Sequence, residues 1–232
     1  MKGPQPRDAI KSLLSYRPSF GKVEQGPVIR LSANEGALGT SPKVLAHLKA
    51  DQGTPSRYPE VQDRRLCEAI ASRYRLEPDR ILTANGSDEL LSLIAMAYLE
   101  AGDEAIHTQY AFLVIPQVIQ IAGATPVVAQ DKDFICDVDA IFAAVTARTK
   151  VVFLVNPNNP TSPIIPMAEV RRLHAGLRRD ILLVLDWAYA EYQPENFADE
   201  AARIVEAHDN IIMTRTFSKL HGLAAFRLGW AY

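Results

Sequence analysis

Residues 150–186 read KVVFLVNPNNPTSPIIPMAEVRRLHAGLRRDILLVLD, and the fold class follows from their pattern. The stretch opens and closes with short, continuously apolar runs, KVVFLVN and DILLVLD, which are typical of fully buried β-strands. Between them, MAEVRRLHAGLRR carries apolar residues at helical spacing. A strand, a helix and a second strand in this order indicate two strands of an α/β sheet joined by a helix that covers it.

The same alternation runs through the rest of the chain. Further strand-like runs are RILTAN at 80–85, EAIHTQ at 104–109, TPVVAQ at 125–130 and NIIMTRTF at 210–217. Helical patterns lie between most of them, and two more helices, PKVLAHLKAD and VQDRRLCEAIASRY, precede the first strand. The sequence therefore predicts an α/β fold with a mostly parallel sheet and helices on both of its faces.

Composition excludes several classes of function. The chain has 232 residues, 48% of them hydrophobic and 22% charged, and its formal net charge of -2 gives no indication of a nucleic-acid partner. Cys67 and Cys136 lie far apart in the sequence, and we expect both to be reduced core thiols. The histidines fall at no metal-ligand spacing, and neither of the glycine-rich nucleotide-binding motifs occurs. No metal site and no nucleotide site are predicted.

The chain shows no signal for export or membrane insertion. Its first residues, MKGPQPRDAIKSLLSYRPSF, carry prolines and charges where a secretory signal would need an apolar core, so we expect a cytoplasmic protein. The longest apolar run, LLSLIAMAYL at 90–99, is about half the length that spans a bilayer.

Chemistry is expected beyond the carboxyl ends of the strands, where loops and helix N-termini converge in open α/β sheets. The polar clusters at these ends are NGSDE at 85–89, YAF at 110–112, NPNNPTS at 156–162, DWAYAEY at 186–192 and TFSK at 216–219. Taken singly, each has a purely structural explanation. NGSDE can offer backbone N–H groups to an anion, or Ser87 can simply cap a helix. NPNNPTS can be only a turn, or the amide of Asn159 can contact a ligand.

Asp186 ends an apolar strand and is followed by Tyr189 three residues later. Such an aspartate is often only a cap or a turn former. It can instead hold a cationic ring: at about 4 Å and an effective dielectric near 20, the pair gains roughly 4 kcal/mol, or about three pKa units. That gain is enough to keep a weakly basic pyridine nitrogen protonated.

The segment TFSKLHGLAAFR, residues 216–227, adds a phosphate-binding set and a nucleophile. Thr216, Ser218 and Arg227 provide two hydroxyls and a planar cation, which suit a phosphate group. Lys219 lies among them, and a lysine in a confined, cation-rich pocket loses its proton more readily and can form a Schiff base. His221 is interpreted as a packing residue near the site. Phosphate, a protonated pyridine, a phenolic partner and a lysine together indicate pyridoxal 5'-phosphate.

The ordered set NGSDE, NPNNPT, DWAYAEY and TFSK followed by GLAAFRLG resembles the fold type I pyridoxal-phosphate aminotransferases of class I/II. Within that family, LSANEGALGTSP and RYPE at 57–60 are most similar to histidinol-phosphate aminotransferases. The resemblance extends over essentially the whole chain from about residue 12. Each motif is weak alone, and the combination is specific.

The resemblance implies catalytic roles for three residues. Lys219 would bind the cofactor covalently and then act as general acid and base in the proton transfer. Asp186 would pair with the pyridine N–H, so that the protonated ring withdraws electrons from the substrate. Tyr189, together with Asn159, would hydrogen-bond the ring oxygen O3'.

It also implies the remaining cofactor and substrate contacts. The phosphate would be bound by the backbone N–H groups of Ser87 and Asp88 and by Thr216, Ser218 and Arg227. Phe112 would stack on the ring, with Tyr110 as the alternative. Tyr58 would reach the phosphate of a neighbouring subunit, which implies a homodimer with shared active sites, and Asn34 would lie in the substrate-access segment.

The resemblance further implies an N-terminal arm over residues 1–30 and an incomplete cofactor-binding large domain over residues 31–232. The family continues into a C-terminal small domain with a carboxylate-binding arginine, which we expect to be absent from this sequence. Three positions depart from the family: Ser162 and Ala225 stand where glycine is common, and Gly36-Ala37 where the substrate loop usually has a proline. We expect the serine and the alanines at these positions to avoid positive φ.

Three functions stay open at this stage. The first is transamination of an amino-phosphate substrate. The resemblance favours the reaction of histidine biosynthesis in which histidinol phosphate and 2-oxoglutarate give imidazole-acetol phosphate and glutamate. The second is another reaction of the same cofactor, such as threonine-phosphate decarboxylation, because the fold does not fix the reaction. The third is a truncated, non-catalytic remnant of the family.

Overall fold

The computed structural model describes residues 3–13, 31–51, 53, 56–58, 60 and 63–232. The α-helices in these ranges are α1 (Asp8–Lys11), α2 (Pro42–Ala50), α3 (Arg64–Tyr74), α4 (Ser87–Tyr98), α5 (Val114–Ala122), α6 (Val138–Ala144), α7 (Met167–Gly176) and α8 (Glu195–Glu206). The strands are β1 (Leu82–Ala84), β2 (Glu104–Thr108), β3 (Thr125–Ala129), β4 (Thr149–Val155), β5 (Leu182–Asp186), β6 (Ile211–Thr216) and β7 (Gly229–Ala231). Single 3-10 turns occur at Pro78–Arg80, Ala190–Tyr192 and Ala224–Phe226.

The described strands form one seven-stranded sheet in the order β1-β7-β6-β5-β4-β2-β3. Neighbours from β6 to β3 run parallel, and β7 pairs antiparallel with both β1 and β6. The prediction of an α/β fold with a mostly parallel sheet is thus confirmed. All six predicted strands are present. The sequence pattern did not reveal β7, because Gly229 and Ala231 are residue types that are depleted in strands and they leave no run of β-branched or aliphatic residues.

The central strands are apolar throughout because helices cover the sheet on both faces. Val152 and Leu154 of β4 pack in one buried cluster with residues of α3, α6, α7 and α8. Val151 and Phe153 of the same strand pack in a second cluster with residues of α4 and α5. Successive side chains of a strand point to opposite faces, so one uninterrupted apolar run contributes to both clusters.

Helix boundaries differ from the pattern mainly at α6. The sequence predicts a helix over residues 138–149, but α6 ends at Ala144 and Val145 is already extended. Asp137 accepts hydrogen bonds from the N–H groups of Asp139 and Ala140 and so fixes the start of this helix. At the other end, Thr149 joins β4, which forces the chain to leave the helix earlier than the apolar spacing suggests.

Most of the expected N-terminal arm, residues 14–30, lies outside the described residues, and the boundary proposed at residue 30 stays a prediction. Cys67 and Cys136 are free thiols, the first buried and the second partly buried. Over the described ranges, every helix is too short or too polar to cross a membrane.

Candidate active site

A cavity of about 400 Å³ lies beyond the carboxyl ends of β4, β5 and β6 and beside the N-terminus of α4. Eleven of the twelve residues predicted to form the site line it, and Tyr58 is the exception. The eleven are Asn34, Ser87, Asp88, Phe112, Asn159, Asp186, Tyr189, Thr216, Ser218, Lys219 and Arg227. Residues distant in sequence therefore converge at the edge of the sheet where ligands bind in α/β folds.

Lys219 follows β6 and extends its amine into the cavity. The Nζ atom donates to the carbonyl oxygen of Ala33 at 3.2 Å and lies 5.5 Å from the centre of the Tyr189 ring. Burial lowers the pKa of Lys219 below its ordinary value, and the positive charge of Arg227 acts in the same direction, while Asp88 opposes both. The site thus makes the neutral, nucleophilic form of the amine more accessible than it is for a lysine in water.

Asp186 is the last residue of β5, and its side chain is buried, with 4% of the residue exposed. One carboxylate oxygen, Oδ1, accepts from the Ala188 N–H and from the Thr214 hydroxyl, each at 3.3 Å. Burial, aided by the negative charge of Asp88, raises the pKa of Asp186 to about 6, although these hydrogen bonds act the other way. A buried carboxylate held mainly by neutral donors suits a cationic N–H group in the cavity.

The α4 N-terminus and Arg227 also line the cavity. Gly86 precedes α4 with a φ of +87°, and a side-chain carbon built on it would lie 2.4 Å from Arg227 Nη2. Arg227 Nη1 donates to the Ser218 hydroxyl at 3.2 Å and to the Ala224 carbonyl at 3.1 Å. Among the described residues, no side chain caps the helix. Backbone N–H groups, a hydroxyl and a guanidinium therefore surround one volume, as an anion site requires.

Ser87 is the first residue of α4 and provides no side-chain cap to the helix, so the alternative reading of Ser87 as a capping residue is wrong. The N-cap position is occupied by Gly86. Thr216 ends β6, where its hydroxyl accepts from the Ser218 N–H at 3.1 Å and lies 3.4 Å from the Leu228 carbonyl. These contacts fix the turn between β6 and Lys219.

Tyr189 and Asn34 contact each other in the lining of the cavity. Asn34 Nδ2 donates to the Tyr189 hydroxyl at 2.9 Å, although the two residues are 155 positions apart in sequence. Asn34 adopts a φ of +51°, which asparagine tolerates better than most residues. The segment around Asn34 thus contacts a tyrosine that follows β5, and Asn159 lines the same cavity.

The positions of the aromatic residues distinguish Phe112 from its alternative. Phe112 lines the cavity, whereas Tyr110 is absent from the lining and its ring lies 5.1 Å from that of Phe134. The Tyr110 main chain is held by Asp131 and Asn158. Phe112, rather than Tyr110, therefore lies where a side chain can contact a ligand in the cavity.

Tyr58 is fully exposed and lies outside the cavity. Its neighbours at 59, 61 and 62 lie outside the described residues. The expected contact of Tyr58 with a second subunit stays a prediction.

Comparison with known proteins identifies the family. The sequence profile described as "Aminotransferase class I and II" matches residues 26–232. The chain belongs to this family. It is 47% identical over 234 residues to a histidinol-phosphate aminotransferase of Rhodopseudomonas palustris strain BisB18, an alignment that covers 100% of the chain and 64% of the relative. A histidinol-phosphate aminotransferase of Sphingopyxis alaskensis is also 47% identical, over 98% of the chain and 62% of its own length.

Solved aminotransferases share the fold. The histidinol-phosphate aminotransferase of Sinorhizobium meliloti in complex with pyridoxal-5'-phosphate gives a TM-score of 0.80 at 30% identity, over 86% of this chain and 54% of that one. The aspartate aminotransferase of Rhizobium meliloti gives a TM-score of 0.84 at 25% identity, over 99% of this chain and 63% of that one. The chain thus spans somewhat less than two thirds of the length of these aminotransferases.

Ser162 corrects one expectation drawn from the family pattern. We expected the serine to avoid positive φ, but Ser162 adopts a φ of +72°. Its N–H donates to the Asn158 carbonyl at 3.0 Å, and this turn hydrogen bond holds the backbone in the conformation that glycine otherwise supplies. Ala225 and Ala37 are not among the residues with positive φ, as expected. Gly36 is constrained by space, because a side-chain carbon there would lie 2.8 Å from the Lys219 carbonyl.

Two residues that the sequence did not predict hydrogen-bond to side chains that line the cavity. Thr214 lies two residues before Thr216 in β6 and therefore faces the same side of the sheet, where it donates to Asp186. That alternation is a signal from which Thr214 could have been predicted. The contact of Ala33 with Lys219 is made by a backbone carbonyl, and side-chain patterns carry no information about it.

Proposed function

We propose that this chain binds pyridoxal 5'-phosphate through Lys219 and is the cofactor-binding part of a histidinol-phosphate aminotransferase. The observation that carries the proposal is the convergence of Lys219, Asp186 and Arg227 on one cavity. An amine nucleophile, a buried carboxylate and a guanidinium are the groups that this cofactor requires at its aldehyde, its ring nitrogen and its phosphate. The bound cofactor supplies an electron sink for the substrate's α-carbon.

The phosphate would be held at the α4 N-terminus. The backbone N–H groups of Ser87 and Asp88 carry the positive end of the helix dipole, and Arg227 adds a full charge that is oriented by Ser218 and Ala224. Thr216 and Ser218 add hydroxyl groups in the same cavity. Gly86 is needed because any side chain there would displace Arg227.

The proton chemistry would be carried by Lys219 and supported by Asp186. Because burial lowers the pKa of Lys219, its Nζ can take up a proton from a substrate carbon and return it at a neighbouring atom. The buried Asp186 carboxylate would hold a proton on the ring nitrogen by pairing with it. Tyr189 and Asn159 would hydrogen-bond the ring oxygen, and Phe112 would cover one face of the ring.

The substrate assignment rests on the relatives. Curated proteins that are 45 to 47% identical to the chain carry the name histidinol-phosphate aminotransferase. We therefore propose histidinol phosphate as the amino donor and 2-oxoglutarate as the acceptor, with imidazole-acetol phosphate and glutamate as products and a place in histidine biosynthesis. Asn34 would contact the substrate, because it lines the cavity and binds Tyr189.

The proposal includes a homodimer in the cytoplasm. The full exposure of Tyr58 leaves its hydroxyl accessible to a second subunit, where the family resemblance places a phosphate contact. The free thiols of Cys67 and Cys136 suit a reducing compartment.

Product analysis tests the function. Purified chain saturated with pyridoxal 5'-phosphate is incubated with histidinol phosphate and 2-oxoglutarate, and glutamate and imidazole-acetol phosphate are measured. We expect both products at equal amounts, their loss in Lys219→Ala, and their retention in the control Lys49→Ala, which removes an exposed lysine of α2. A parallel incubation contains threonine phosphate as the substrate. Release of carbon dioxide there, without formation of glutamate, would indicate that the chain is a decarboxylase and not a transaminase. Bound cofactor without either reaction would refute the activity for this chain.

A further inference from the structure

A buried ion pair lies behind the cavity, outside the set of residues that line it. Arg215 Nη2 is 2.6 Å from Glu191 Oε1, and their side chains are 1% and 10% exposed. Thr214 and Thr216, the neighbours of Arg215 in β6, face the site, where Thr214 binds Asp186 and Thr216 lines the cavity. Because side chains alternate along a strand, Arg215 leaves the sheet on the opposite face.

Aromatic rings enclose the guanidinium of Arg215. Its central carbon lies 4.9 Å from the centre of the Tyr74 ring and 5.3 Å from that of Trp230. Arg215 Nη2 also reaches the Tyr74 hydroxyl at 3.5 Å. An arginine packed between rings has few alternative positions, so the carboxylate that it binds is fixed as well.

Glu191 also contacts a third residue, His221. His221 Nε2 lies 3.6 Å from the same oxygen, Oε1, that Arg215 contacts. The His221 ring also packs against Phe217 at 5.2 Å between centres. Burial alone would raise the pKa of Glu191, but the contacts with His221 and Arg215 outweigh it and lower that pKa, so the carboxylate is charged.

The places of these residues in the chain relate the cluster to the site. Glu191 comes two residues after Tyr189, and His221 comes two residues after Lys219. The Glu191 carboxylate therefore joins the segment that carries the tyrosine to the segment that carries the lysine. Lys219 Nζ lies over the Tyr189 ring, so a small shift of either segment changes their separation directly.

We propose that Arg215, Glu191 and His221 form a positioning cluster that holds Lys219 and Tyr189 in register, an inference that rests on the proposed function of these two residues. The cluster does not line the cavity. It acts through the two segments that it joins, and Arg215 anchors it to the sheet.

Chemical labelling of Lys219 tests the cluster without any cofactor. The chain is treated at pH 7 with an amine-reactive reagent, and the labelling rate of each lysine is obtained by peptide mass spectrometry. His221→Ala should change the rate at Lys219 by at least about twofold, the lower end expected for side chains coupled through one network. His221→Gln, which keeps a side-chain N–H, should restore the rate. Glu200→Gln is the matched control, because it neutralises a glutamate that pairs with Arg171 on the surface.

The same variants are then compared as cofactor-loaded chains. His221→Ala should change the absorbance maximum or the band ratio of bound pyridoxal 5'-phosphate, while its Tm stays within a few degrees of the wild type. His221 is 37% exposed, so its replacement leaves the core intact. Glu191→Gln should give a larger change in the same direction, accompanied by a loss of stability.

The outcomes separate this inference from the function on which it rests. Unchanged labelling and spectra in both His221→Ala and Glu191→Gln would overturn the positioning role while leaving cofactor binding untouched. A lower Tm with unchanged labelling would also overturn it, because a purely structural role predicts that result. If the wild-type chain binds no cofactor but the labelling rate of Lys219 depends on His221, the positioning role is supported and the proposed function is wrong.

Discussion

Arg227 Nη2 lies 3.7 Å from Asp88 Oδ2, so a carboxylate stands beside the guanidinium where we propose that phosphate binds. Both side chains are about half exposed, at 47% and 49%. The backbone of Asp88 favours an anion through the helix N-terminus, whereas its side chain opposes one. The same carboxylate acts to raise the pKa values of Lys219 and Asp186. Asp88 thus influences the phosphate end, the amine and the buried carboxylate together.

Asp88→Asn should strengthen cofactor binding. The change removes a negative charge near the phosphate and keeps the backbone donor, so the Kd for pyridoxal 5'-phosphate should fall by up to about fivefold, the scale of an exposed charge interaction. Absorbance titration measures the Kd. Glu89→Gln is the control, since it removes a neighbouring charge that contacts Asn85. Weaker binding by Asp88→Asn would mean that the carboxylate is needed to orient Arg227.

Gly86→Ala should weaken cofactor binding as well as stability. The added carbon would meet Arg227 Nη2 at 2.4 Å, and the φ of +87° disfavours any side chain. Gly102→Ala is a matched control, because Gly102 also has a positive φ of +101° but no atom within 4 Å of the added carbon.

Urea unfolding and cofactor titration separate the two effects. Both variants should lose about 1 kcal/mol or more of unfolding free energy from backbone strain. Only Gly86→Ala should raise the Kd for the cofactor. An equal Kd in both variants would show that the position of Arg227 does not control binding.

Asp186 should make the cofactor-free chain less stable as the pH rises from about 4 to 6. Its pKa is about 6 in the folded chain and 3.8 in the unfolded reference, so the folded state binds more protons in this window. Unfolding free energy therefore decreases with rising pH there, by at most about 3 kcal/mol. Asp186→Asn should remove this contribution and stabilise the cofactor-free chain at pH 7, while abolishing most turnover.

Urea unfolding at several pH values checks this sign. The control is Asp209→Asn, which removes an exposed carboxylate outside the cavity. A steeper rather than flatter decrease in Asp186→Asn would contradict the assignment of the pH dependence to Asp186.

Ser162→Gly should stabilise the chain, because glycine adopts the φ of +72° without strain. Relief of strain exceeds the extra flexibility of glycine in the unfolded chain, so a gain of up to about 1 kcal/mol is expected. Ala225 is the other position at which the family commonly has glycine. Ala225→Gly should destabilise the chain, because Ala225 does not adopt a positive φ. Thermal unfolding of both variants is the measurement. A lower Tm for Ser162→Gly than for wild type would show that the backbone of Ser162 is not strained.

The sequence predicts the sheet and the cavity well for one physical reason. Buried strands such as β4 and β5 need continuous apolar runs, and polar residues directly after them, such as Asp186, mark the edge where ligands bind. Helical spacing identifies the covering helices but not their ends, as α6 shows, because local hydrogen bonds at Asp137 and strand pairing at Thr149 decide them.

Contacts between distant charges are not visible in the same way. Arg215 and Glu191 are 24 positions apart in sequence. From the sequence alone each would be interpreted as a surface charge, because only the folded sheet places them together in the interior. The sequence interpretation of His221 as a packing residue agrees with its ring contact but omits its link to Glu191. The strain at Ser162 depends on a turn hydrogen bond to Asn158, which no residue type specifies.

The most direct test of the account is to reduce the purified chain with borohydride in the presence of pyridoxal 5'-phosphate and to map the modified peptide by mass spectrometry. We predict an absorbance band from bound cofactor before reduction and, after it, a cofactor adduct on Lys219 alone that is absent from Lys219→Ala. An adduct on another lysine, or an unchanged adduct in Lys219→Ala, would contradict the assignment of Lys219 as the residue that binds the cofactor.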